Sequence, residues 1–122
     1  MKKIDREKVW LKYDKHCSYC GNEITLKDMQ VDHMYPKCMG TFTNNFKENH
    51  EKIHGFQNLM PSCRRCNHYK RGDTLEQFRK KMMTLDERIK DNYINKVAID
   101  FGIITLKNFD GIFYFEKKSL EN

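Results

Sequence analysis

Two pairs of cysteines, Cys17-Ser18-Tyr19-Cys20 and Cys63-Arg64-Arg65-Cys66, carry the first chemistry legible in this sequence of 122 residues. In each pair a short turn presents two sulfurs along one edge of a tetrahedron, the geometry that Zn2+ adopts with thiolates. One isolated pair would suit redox exchange, whereas two pairs point to zinc. Four cysteines fill the tetrahedron and leave no open position, so this zinc is expected to be structural and any catalysis needs a second centre. The loop between Cys20 and Cys63 exceeds the roughly 15–20 residues of an ordinary zinc ribbon, so the ion closes a large loop. Cys38, the fifth cysteine, reads as a small packing residue or an unused thiol. His16, beside Cys17, finds no vacancy in a full set of four.

Inside that loop lies Val31-Asp32-His33-Met34-Tyr35-Pro36, and at its far edge Asn58-Leu59-Met60-Pro61-Ser62 runs into Cys63, followed by Asn67-His68-Tyr69-Lys70-Arg71. Asp32 offers a hard anionic oxygen and Asn67 a neutral one, a pair suited to Mg2+ or Mn2+. His33 is the side chain best fitted to take a proton from water near neutral pH. Neighbours on a regular strand face opposite ways, so Asp32 and His33 can serve one phosphate only at a strand end or bend, which Pro36 would mark. On a helix after Cys66, Lys70 and Arg71 share the face of Asn67.

These segments resemble the HNH endonuclease motif, from Cys17 to about Gly72. The pieces stand in family order: CxxC, Asp-His, Asn-Leu, then CxxC-Asn-x-x-Lys. The resemblance implies an α+β fold with a small ββα-metal (His-Me finger) core and a four-cysteine zinc site. It implies hydrolysis of DNA phosphodiester bonds to 5′-phosphate and 3′-hydroxyl ends. In it His33 is the general base, Asp32 and Asn67 hold the catalytic Mg2+ or Mn2+, and Asn58 orients the histidine. Small proteins of this kind occur in phages and mobile elements. Two features depart from the family pattern. Asn67 stands where the family's name places a histidine, with His68 turned about 100° away on a helix. The stretch from His33 to Asn58 is long and holds His50 and His54, which read as solvated loop histidines. The alternative is a non-catalytic HNH-like zinc module that binds nucleic acid, and a third reading is a protein adaptor.

The positioning elements can also be read. Ile4 to Lys15 reads as a helix with Asp5 as N-cap, Ile4 stapled to Val9, and Val9, Trp10 and Tyr13 facing inward. Thr74-Leu-Glu-Gln77 and Thr84-Leu-Asp-Glu87 are capping-box patterns, the second opening a helix to Phe101 with Ile89, Tyr93, Val97 and Phe101 at helical spacing. Gly102 is its stop. Ile103–Leu106 and Ile112–Phe115 read as a C-terminal β-hairpin around Asn108-Phe109-Asp110-Gly111. A single domain over residues 1–122 is expected, with a motif core over 17–72 and an extension over 73–122.

The net charge is +6, and all of it lies in residues 1–72, since 73–122 balances. A basic balance suits a polyanionic partner such as DNA and also suits simple solubility. Arg64, Arg65, Lys70 and Arg71 are the expected phosphate contacts. No run of 18 apolar residues exists to span a membrane. The charged start, Met1 to Glu7, lacks the apolar region of a signal peptide, so a cytoplasmic location is expected.

Overall fold

The structure is a computed structural model and describes residues 5–36 and 55–120. Ile4, Cys38, His50 and His54 lie outside the described residues. Those described fall into two compact units, 5–75 together with 113–120, and 76–112.

The first unit begins with α1 (Arg6–Leu11), capped by the Asp5 carboxylate, which accepts from the Lys8 amide at 3.3 Å. The expected N-cap is observed, but the helix stops short of Lys15. Val9 is buried with Met29 and Leu59, and Trp10, Ile24, Leu26 and Val31 pack against them. The polar ends of α1 residues brace the loop that follows. Trp10 Nε1 donates to the Ile24 carbonyl at 2.7 Å. The Arg6 guanidinium donates to the carbonyls of Leu26 and Met29 at 2.9 and 2.7 Å.

Strands β1 (Gln30–His33) and β2 (Leu59–Ser62) pair antiparallel, in the register Gln30↔Ser62, Val31↔Pro61, Asp32↔Met60 and His33↔Leu59. Cys63 then caps α2 (Arg64–Lys70), its sulfur accepting from the Cys66 amide at 3.4 Å. Two antiparallel strands and the helix behind them make the expected ββα arrangement within a mixed α+β fold.

The expected C-terminal hairpin is not present. Turn chemistry is there, since the Ile112 amide donates to Asp110 Oδ1 at 3.0 Å and Gly111 has φ +85°. The chain then enters a helix, Tyr114–Leu120, instead of a returning strand. Two interactions decide this. Glu116 reaches back to accept from the Phe113 amide at 2.9 Å, the reciprocal half of a capping box. The Tyr114 and Phe115 amides donate to the carbonyls of Tyr19 and Ser18 at 3.2 and 2.8 Å, so the donors a strand ladder would need are used on the first cysteine turn.

The second unit holds α3 (Leu75–Met83), whose first residue closes the first unit, α4 (Leu85–Lys90) and α5 (Tyr93–Asp100), before the C-terminal helix, α6 (Tyr114–Leu120). The expected continuous helix from Thr84 to Phe101 is broken at Asp91-Asn92. Asn92 caps a new helix by accepting from the Ile94 amide at 3.1 Å, and Asn95 spans the break to the Ile89 carbonyl at 2.9 Å. Of the expected inward stripe, Tyr93 and Phe101 are 82% and 78% exposed. Gly102, at φ +72°, ends α5 as expected.

These contrasts predict different sensitivities. Phe113 is 2% exposed, so Phe113→Ala should cost about 3–5 kcal/mol in urea unfolding of the zinc-loaded protein. Phe101→Ala should change stability by less than about 0.5 kcal/mol.

Candidate active site

The four zinc-candidate sulfurs converge. Cys17, Cys20, Cys63 and Cys66 lie with all Sγ atoms within 4.8 Å of one another, and Cys20 and Cys63 are 3.9 Å apart. A tetrahedral ion with Zn–S bonds of about 2.3 Å requires sulfur separations of about 3.8 Å. Cys17, Cys20 and Cys66 share hydrogen bonds, so the charge on one thiolate opposes charge on the others. Contacts from Cys20 and Cys66 pull Cys17 down, while Cys20 is pushed up to about 11 and Cys66 higher still. Four thiolates therefore need a cation among them, and the donor set fits zinc. His16 is engaged elsewhere, with Nδ1 2.7 Å from the Asp14 carbonyl and its ring against Tyr114.

The first cysteine turn is shaped by Gly21, at φ +81°. A Cβ there would stand 2.7 Å from the Tyr114 ring, so both conformation and space demand glycine. The same turn is pinned to β2, because the Ser18 amide and hydroxyl both donate to the Pro61 carbonyl, at 2.9 and 2.8 Å.

Asp32 and His33 end β1, both buried, with the chain bending at Met34-Tyr35. This is the strand end that two neighbouring side chains need in order to serve one centre. Asp32 is 5% exposed, and two buried groups hold it by one oxygen. The Tyr19 hydroxyl donates to Asp32 Oδ2 at 2.5 Å, and Lys70 Nζ lies 3.2 Å from the same atom. Burial pushes the Asp32 carboxyl up, and the phenol and ammonium act in the opposite direction. Burial, with Asp32 alongside, holds the Tyr19 phenol well above its ordinary range, so it remains a donor. Lys70 also donates to the His33 carbonyl at 3.1 Å.

Asn58 ends the 3₁₀ turn Phe56–Asn58. Its side chain clamps the backbone just beyond His33, with Oδ1 accepting from the Tyr35 amide at 2.7 Å and Nδ2 donating to the Tyr35 carbonyl at 3.0 Å. The Met34 amide donates to the Asn58 carbonyl at 2.9 Å, which closes the bend. Lys12 secures the turn itself, donating to the carbonyls of Phe56 and Leu59 at 3.0 and 2.9 Å.

The family model of the HNH endonuclease matches residues 17–72. Those residues are similar to the HNH family. Comparison with curated proteins and with solved structures returns no match.

The match begins at the first zinc cysteine and takes in Asp32, His33, Asn58 and Asn67. Within the matched segment, Asn67 is half-buried on α2, and His68 beside it is exposed. Arg64 and Arg65 are exposed in the first turn of that helix, and Arg71 is exposed just beyond its end. Lys70 departs from expectation: at 0% exposure its ammonium faces Asp32 and the His33 carbonyl rather than solvent. The helical spacing that groups Lys70 with Asn67 does not say which groups wait across the interface. Tyr19 escaped the sequence reading as well. Its one signal is an aromatic ring inside a cysteine turn, and its partner lies in β1. No helix among the described residues is long and apolar enough to cross a membrane.

Two predictions follow from this geometry. Elemental analysis should find one zinc per chain, and Cys66→Ser or a strong chelator should abolish both zinc content and cooperative unfolding. Lys70→Met should cost about 3–5 kcal/mol by leaving a buried carboxylate unpaired. Combining it with Asp32→Asn should restore most of that loss in a double-mutant cycle.

Proposed function

We propose that the protein is a divalent-metal-dependent HNH endonuclease that hydrolyses DNA phosphodiester bonds. The observation that carries the reading is the family match over 17–72, with Asp32, His33, Asn58 and Asn67 in family order. Supporting it, Asp32 and His33 close one strand, Asn58 clamps the bend after them, and Asn67 stands on the helix tied to that strand through Lys70.

In this reading His33 accepts the proton of a water aligned for in-line attack on phosphorus, and Asn58 keeps the backbone beyond His33 in place. Asp32 and Asn67 would hold Mg2+ or Mn2+, and the ion would supply charge stabilisation for phosphodiester hydrolysis. Arg64, Arg65 and Arg71 contact the DNA backbone from either end of α2. One such site cuts one strand, so double-strand cleavage needs two copies or two successive events.

The test is nicking of supercoiled plasmid in Mg2+ or Mn2+. Wild-type protein should nick, and His33→Ala should lower the rate by about 10²–10⁴-fold with DNA binding retained. Equal background from both proteins, each still binding DNA, would leave a zinc module that binds nucleic acid without cutting it.

A further inference from the structure

We propose that Tyr19 is a positioning residue through which the four-cysteine zinc site sets the orientation of the Asp32 carboxylate, so that Oδ1 alone is offered to a divalent cation. The inference rests on the catalytic reading of Asp32 above and names what makes that carboxylate competent.

Tyr19 lies between two of the clustered cysteines, Cys17 and Cys20, so its backbone is fixed by the turn that would wrap the zinc. The side chain is 4% exposed and packs edge-on against Phe113, with ring centroids 5.4 Å apart, and against Phe115 at 6.2 Å. Ring and backbone thus leave the hydroxyl a single direction, and it points at Asp32 Oδ2, 2.5 Å away. Lys70 engages the same oxygen, and among the described residues no side chain holds Oδ1. A carboxylate held by one oxygen cannot rotate to chelate a cation with both, and it presents the other in a fixed direction. Hydrogen-bonded partners of ligating carboxylates act in this way, and losing one lowers metal affinity about 10–100-fold.

The experiment measures Mn2+ binding to the zinc-loaded full chain by the loss of the free-ion electron paramagnetic resonance signal, without DNA. Mn2+ is the weakest divalent competitor of its series for a thiolate site, so the zinc remains in place. Tyr19→Phe removes the hydroxyl and keeps the ring. It should retain one zinc per chain and bind Mn2+ at least about tenfold more weakly than wild type. Phe115→Leu loosens the packing of the ring and keeps the hydroxyl. It should lower the Tm and leave Mn2+ affinity within about twofold of wild type. Wild-type affinity in Tyr19→Phe would overturn the proposal alone, as would an equal loss in Phe115→Leu. A wild type that binds no more Mn2+ than Asp32→Ala would overturn the proposal together with the catalytic reading beneath it.

Discussion

Convergence of four sulfurs on one point is the constraint on which the first unit depends. Among the described residues of this unit, one apolar cluster buries Val9, Met29 and Leu59 with four partly buried neighbours. A cluster of this size offsets only part of the entropy of ordering the two cysteine turns and the strands that join them. A structural zinc at these sulfurs would add to the free energy of folding, because the cation would bind the folded arrangement of thiolates and not the unfolded chain. The cysteine turns also orient what they carry. Ser18 fastens the first turn to β2 through the Pro61 carbonyl, and Tyr19 reaches from it to β1. The second turn begins α2, which carries Asn67 and Lys70.

The buried Asp32–Lys70 pair follows a different logic. Removing a carboxylate and an ammonium from water costs several kcal/mol each, and apolar side chains of the same volume often serve stability as well or better. Stability alone therefore gives no reason for this pair at the end of β1. Its geometry gives one. The ammonium meets both the Asp32 side chain and the His33 carbonyl, so one buried cation joins α2 to the two consecutive residues that end the strand. In a low dielectric these contacts are directional and stiff, which suits groups that must be held to a fraction of an ångström.

What the sequence made legible was local. The cysteine spacing, the Asp5 cap, the Gly102 stop and the strand end after His33 each depend on a few adjacent residues, and each appears in the structure. The misreadings arose where a distant group competes. Ile112–Phe115 has strand-like composition, yet the Tyr19 and Ser18 carbonyls and the Glu116 carboxylate capture its amides and turn it into a helix. Asn92 sits inside a good helical period, and its side chain caps a new helix there instead. Lys70 reads as a phosphate contact by spacing, but Asp32 stands in its path.

The charge balance can now be divided by what holds each cation. Arg6 and Lys12 give their donors to backbone carbonyls, which carry no net charge. Their hydrogen bonds are spent, but their fields still reach solvent and still favour the approach of a polyanion. Lys70 is different, because its charge faces the Asp32 carboxylate at 3.2 Å and the two fields largely cancel outside. In the proposed reading, close contact with a phosphate would therefore fall to exposed groups such as Arg64, Arg65 and Arg71 at the ends of α2. Arg71 takes up φ +52° and ψ −128°, a backbone conformation that favours glycine, although Gly72 stands next to it. A long, exposed cation held at a position better suited to glycine costs stability of order 1 kcal/mol or more. That cost has no return in packing, since the side chain is exposed; in the proposed reading its return would be reach, an exposed cation one residue beyond the ammonium that the core has absorbed.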